Sequence, residues 1–253
     1  MGTGALTGWV LATLLVGLRV APVFALAPPF SLTRVPTPLR VMFGLGISAC
    51  LVSAHPSAIL IGEAGLHDLV VAALRELLLG AIVVLAFQLM FAALYVAGRT
   101  IDIQAGFGLA MLIDPTTRAQ TPLVGTLFAY GAAAVFFAMD GPAELLRLMG
   151  ASLEAIPLGS AGPPLSLARL AEFISAVFVT GFGIGGGAIL CLFLADLAIA
   201  TLARTVPQMN VLVLGFQVKT ILLLVVLPLA FGASGALFAR LTRLTLEAIP
   251  RLL

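Results

Sequence analysis

Ionisable side chains inside apolar sequence are the groups here that could do chemistry. Arg75, Glu76, Asp102, Asp114, Asp196, Arg204 and Lys219 all stand in or beside long apolar runs. A charge is costly in hydrocarbon unless it meets a partner or water, so such residues point to an ion or proton relay or to charge pairing between helices. Arg75, Glu76, Asp102, Arg204 and Lys219 are expected at subunit interfaces, paired there. Two competing structural readings are open. Asp114-Pro115-Thr116-Thr117 has the form of a helix N-cap with proline at the first helical position, and Arg204 near a helix C-terminus would complement the helix dipole.

Catalysis has no visible home. The chain holds no HExxH, no CxxC pair, no GxSxG elbow and no Walker loop, and His55 and His67 sit beside turns. Glu63, His67 and Asp68 form a polar corner that lacks the second histidine of a zinc pattern and reads as solvated. Cys50 and Cys191, alone in apolar runs, read as small buried hydrophobes. Neither a metal, a cofactor nor an enzymatic activity is expected.

The elements that must position these residues are apolar helices. Hydrophobic residues make up 61% of the 253-residue chain and charged ones 9%, against roughly 25% charged in soluble domains; mean hydropathy is +1.19. Windows free of Asp, Glu, Lys and Arg cover 1–18, 41–62, 77–98, 119–139, 173–195 and 220–239, each near the roughly 20 residues that cross a bilayer core. The fold class is therefore all-α, membrane-type, with six long apolar helices packing into a larger assembly. The first run has no preceding Lys or Arg and carries Arg19 and Pro22, so it reads as a retained helix rather than a cleaved signal. A net charge of +2 without a basic stripe excludes a nucleic-acid footprint.

Punctuation divides the chain. An amphipathic helix around Glu144, Arg147 and Glu154 is followed by a Pro/Gly-rich connector, giving an N-terminal four-helix part over 1–156, a connector over 157–169 and a C-terminal helical hairpin with an amphipathic tail over 170–253. In that tail Arg243 and Glu247 are spaced i,i+4. The fifth helix carries Gly181, Gly183, Gly185 and Gly187. No strand precedes them, so they are no dinucleotide fingerprint; Gly181 with Gly185 and Gly183 with Gly187 make small-xxx-small faces that admit another backbone, with a kink as the alternative. Val206 before Pro207 must leave the helical region, so Arg204 to Leu212 is a polar turn between two helices. Loop cations divide six against five between the two sides, so the positive-inside rule leaves orientation undecided.

One stretch mixes charges, glycines and large apolar residues at close quarters: Gly98 to Pro115, within a loop region over 98–120. Ala97-Gly98, Ile101 to Gly106, Ala110, Asp114-Pro115, Phe136 to Gly141 and Pro157-Leu158-Gly159 carry a family resemblance. So, above all, do Arg204-Thr205-Val206-Pro207-Gln208-Met209-Asn210 and Gly215-Phe216-Gln217-Val218-Lys219. From about Leu69 to Leu229 the chain resembles the FliR family of flagellar export-gate proteins, relatives of the SctT proteins of injectisomes. It departs from the family pattern at Gln104-Ala105-Gly106 (for Gln-Met-Gly), at Gly141-Pro142 (for Gly-His) and in its glycine-rich fifth helix, and it lacks the arginine of the injectisome Asp-x-Gln-Arg-Gly motif.

The resemblance implies a single FliR copy assembled with several FliP and FliQ subunits and with FlhB. Together they would form an export gate of the bacterial inner membrane and flagellar basal body that passes unfolded flagellar proteins, with the loop from about Gly106 to Gln120 as a plug. The residues suit that part. Gly106 and Gly108 free the backbone, Phe107, Leu109, Met111 and Leu112 offer a deformable apolar seal, and Gln104 stands at its start. An injectisome gate subunit is the alternative. A small-solute transporter with its site at the glycine break of the fifth helix would need paired broken helices in two related halves, and no internal repeat is visible.

Overall fold

The computed structural model describes residues 3–33, 35–55, 65–107, 122–160, 166–205 and 210–253. Among the described residues the chain is all-α, without strands: α1 (Thr3–Leu26), a 3-10 turn (Phe30–Leu32), α2 (Thr37–Ala54), α3 (Leu66–Gln104), α4 (Leu123–Ala138), α5 (Gly141–Ala155), α6 (Leu167–Thr205), α7 (Val211–Ala233) and α8 (Gly235–Leu252). Five of these helices are long and apolar enough to cross a membrane, six if α4 and α5 count as one broken span.

Charge-free windows locate the apolar part of each helix but not its ends. α3 runs on through Arg99 and Asp102, and α6 through Glu172, Asp196 and Arg204, so each reaches 39 residues, about twice a bilayer crossing. The physical reason is that Arg, Glu and Lys are good helix formers; a charge ends a lipid-compatible window without ending a helix. In the C-terminal part, the helix placed at 220–239 is divided at Ser234 into α7 and α8. α8 buries Phe238, Leu241, Ile249 and Leu252 and exposes Arg240, Arg243, Glu247 and Arg251, the division of faces that period-3.6 spacing produces. Cys50 is exposed and Cys191 partly so, not the buried pair of small hydrophobes expected from their apolar neighbours.

The chain forms two compact units that interleave along the sequence. The first comprises Met1–Leu89, Phe136–Ile174 and Arg243–Leu253; the second, Met90–Val135 and Ser175–Thr242. In the first, Phe30 packs on Phe24 with ring centroids 4.8 Å apart and on Phe136 at 5.9 Å, and Phe136 meets Phe87 edge-on at 5.7 Å. Such aromatic pairs add about 0.5–1.5 kcal/mol each beyond area burial. In the second, Phe128, Phe231 and Phe238 form a cluster with centroids 5.4–6.4 Å apart. α7 turns most of its surface outward: its candidate span is 11% buried, with Phe216, Ile221, Leu224, Val225 and Leu229 exposed.

Candidate functional site

The central stretch begins as helix and is stopped by a specific device. At the end of α3 the Phe107 N–H donates to the Asp102 carbonyl at 2.9 Å and the Gly106 N–H to the Ile103 carbonyl at 3.1 Å, with Gly106 at φ +87°. This is a Schellman C-cap with glycine at the left-handed position. A Cβ at Gly106 would also lie 2.8 Å from the Phe216 ring. Gly106 thus fixes where the helix ends rather than loosening it.

Asp102 ties that end to the start of the next helix. Its Oδ1 accepts from the Val124 N–H at 3.3 Å, in the first turn of α4. A carboxylate there answers the open N–H groups and the positive end of the helix dipole. A few residues back, Gly98 and Gly125 meet backbone to backbone, leaving no room for a Cβ on Gly98. Two contacts, Gly98 with Gly125 and Asp102 with Val124, therefore hold the two ends of the intervening segment together. Asp102 is buried, and its Oδ2 and the Gln104 Oε1 have no hydrogen-bond partner among the described residues. Gly108, Leu109, Met111, Leu112, Asp114 and Pro115 lie outside the described residues.

The second polar group lies on α6 and α7. Asp196 and Lys219 form an ion pair between these helices, with Asp196 44% and Lys219 19% exposed. Arg204 is exposed in the last turn of α6, where a cation complements the dipole. Asn210 caps α7, its side chain accepting from the Val213 N–H at 3.3 Å. Pro207 and Gln208 lie outside the described residues.

Arg75 and Glu76 divide their tasks. Arg75 is exposed and its Nη1 donates to the Gly159 carbonyl at 2.6 Å, while the Gly159 N–H donates to Glu76 Oε1 at 3.2 Å. Adjacent residues of α3 therefore hold both polar groups of one connector residue, whose φ is +73°. Glu76 itself is fully buried and paired with Arg19 within the chain. Arg19 is the residue that sequence reading passed over; the signal was a lone arginine inside an apolar helix, which must find a partner.

On α6 the glycines separate into two sets. Gly181 and Gly185 face α3: added Cβ atoms would lie 3.1 Å from the Ala93 Cβ and 3.1 Å from the Ile101 Cδ1. A Cβ on Gly187 would meet nothing within 4 Å, and one on Gly183 only the Leu237 side chain at 3.7 Å. Helix α6 continues through all four. Among the described residues no group of three or more His, Cys, Asp or Glu is placed to hold a metal.

The chain is similar to the flagellar biosynthetic protein FliR of Bacillus subtilis (strain 168), 33% identical over 250 residues, which are 96% of this chain and 94% of that protein. It is 25% identical to the flagellar biosynthetic protein FliR of Escherichia coli (strain K12), over 93% of this chain and 91% of that one. With the secretion system apparatus protein SsaT of Salmonella typhimurium (strain LT2) it shares 28% identity over 160 residues, 62% and 61% of the two chains. Residues 10–245 match the family described as bacterial export proteins, family 1, and the chain belongs to that family.

Proposed function

We propose that this protein is the FliR-type subunit of a flagellar type III export gate, membrane-embedded and forming part of the channel through which unfolded flagellar proteins leave the cell. The observation that carries the reading is similarity along nearly the whole of both chains to a flagellar biosynthetic protein, in a molecule whose apolar helix faces call for lipid or neighbouring subunits. In this reading the gate sits in the bacterial inner membrane, within the flagellar basal body, and its other members are FliP, FliQ and FlhB. Arg75, Arg204 and Lys219 contribute to faces between subunits. The anchored segment after Gly106 closes the pore, and residues 106–113 are its seal. The injectisome alternative draws on the similarity to SsaT, which covers a smaller part of the chain.

Mass spectrometry of the native complex, extracted in detergent through a tag linked after Leu253, tests the assembly. One copy with several copies of two other small apolar proteins is the expected result; a monomer or homodimer, under conditions that preserve assemblies, would replace the gate with a transporter. Deleting the gene separates the two export readings, since loss of flagella and swimming is expected for the first and loss of effector secretion with intact swimming for the second.

A further inference from the structure

Within the first unit a cleft of about 600 Å³ lies between the α4–α5 turn and the outer face of α8, a size typical of small-molecule sites. Arg243, Arg251, Asp140 and Glu247 line it, and none of these four side chains has an ion-pair partner among the described residues. Glu144 and Arg147, on the same wall, already pair with each other at 3.0 Å. The open charge is therefore two cations and two anions. Arg243 and Glu247 share one face of α8 at i,i+4 yet stay apart, cation first, the weaker order for a helical pair. The site is also held in place: Arg169 donates to the Arg251 carbonyl, and Asp140 takes a left-handed conformation at φ 55°.

A ligand that answers this set carries both signs a few ångströms apart, and its cation has N–H groups to give. We propose that the cleft binds the phosphoethanolamine headgroup of a phospholipid. Its phosphodiester oxygens accept from the Arg243 and Arg251 guanidinium groups, whose forked donors match phosphate geometry. Its primary ammonium donates to the Asp140 and Glu247 carboxylates. Met139, Leu148, Leu246 and Pro250 supply apolar wall for the glycerol and first methylenes. A lipid source is favoured over a soluble one because the chain passes at Met139-Asp140 from the apolar α4 into the amphipathic α5, and charged and apolar surfaces meet there as they do at headgroup level. Choline headgroups lack the N–H donors, and glycerol headgroups lack the cation. The inference does not depend on the export reading.

The test uses the purified, delipidated full-length protein in detergent, in whatever assembly it is recovered, incubated in turn with phosphatidylethanolamine, phosphatidylcholine and phosphatidylglycerol, with bound lipid read by native mass spectrometry. Phosphatidylethanolamine is expected to be retained at least about tenfold over either competitor, the ratio given by a single charge-assisted hydrogen bond. Arg243→Gln with Arg251→Gln should remove the retention. Asp140→Asn, which keeps a residue tolerant of the left-handed conformation and so spares the turn, should lower phosphatidylethanolamine to the level of phosphatidylcholine. Equal retention of the three lipids, or retention unchanged in Asp140→Asn, overturns the proposal. Displacement of the lipid by an equal concentration of soluble glycerophosphoethanolamine overturns the lipid assignment in favour of a soluble zwitterion.

Discussion

Arg19 on α1 and Glu76 on α3 form a buried two-pronged ion pair, Nε to Oε2 at 2.6 Å and Nη2 to Oε1 at 3.1 Å, with both side chains at most 1% exposed. The remaining guanidinium N–H groups go to the α5 end of the same unit: Nη1 to the Ser152 carbonyl and hydroxyl at 2.9 and 3.2 Å, Nη2 to the Ile156 carbonyl at 3.0 Å. All five donors of Arg19 are used. One side chain thereby ties α1 to α3 and caps the carbonyl end of α5, where a cation is favoured.

Removing one partner of such a pair leaves the other charge buried and alone, at a cost of about 3–5 kcal/mol. Arg19→Ala and Glu76→Ala are each expected to lower the detergent melting temperature sharply. Arg19→Met with Glu76→Leu should recover much of the loss, because no uncompensated charge remains. Thermal unfolding of the three variants checks this, and a double variant no better than the singles would show that the hydrogen bonds to Ser152 and Ile156 matter more than the pair.

Gly106 carries two constraints, a left-handed φ and the nearby Phe216 ring. An alanine there pays about 1–2 kcal/mol for the backbone alone, with a steric penalty on top. Gly106→Ala should therefore destabilise the end of α3, and adding Phe216→Ala should restore only the steric part. Residual strain in the double variant, read as a melting temperature between those of wild type and Gly106→Ala, separates the two causes.

Asp102 acts on α4 through one accepted hydrogen bond. Asparagine offers an equivalent acceptor and alanine none, and loss of a cap costs about 1 kcal/mol. Hydrogen exchange at the Val124 amide should quicken in Asp102→Ala and stay near wild type in Asp102→Asn. Equal quickening in both would mean that the negative charge, not the acceptor, holds the helix start.

How much of this could be read from the sequence depends on how local the cause is. The set of long apolar helices and the membrane character follow from runs of apolar residues; the turn expected around Val206 and Pro207 lies outside the described residues. The helix ends were harder: Arg99 and Glu172 look like boundaries by charge but are good helix formers, and Asp102 and Asp196, poorer ones, are carried inside longer helices where each has a partner, the Val124 N–H and Lys219. Gly106 was read for freedom, because its letter does not disclose that a Schellman pair uses it for termination. Arg19, Glu76, Ser152 and Gly159 lie scattered over more than half the chain, and only packing brings their donors and acceptors together. The unpaired charges of the α8 cleft were invisible for the same reason; spacing puts Arg243 and Glu247 i,i+4 on one helix but does not say whether they meet.

Asp196 and Lys219 join α6 to α7 in a setting of outward apolar side chains, Phe193, Leu194, Leu197 and Val218 among them. In water such a partly exposed pair would contribute little; among lipid or apolar partner surfaces a lone Asp196 carboxylate is a far heavier burden. Lys219→Met should therefore reduce recovery of the assembled complex, with Lys219→Arg close to wild type and Lys219→Met with Asp196→Leu intermediate. Arg204 makes a useful contrast. It is exposed at the end of α6, with no ion-pair partner among the described residues, so within the chain it contributes only about 0.3–1 kcal/mol through the helix dipole. If it serves a face between subunits, Arg204→Ala will leave the melting temperature of the isolated chain nearly unchanged and still lose the complex in detergent extracts. An intact complex would confine the residue to its role as a helix-end cation.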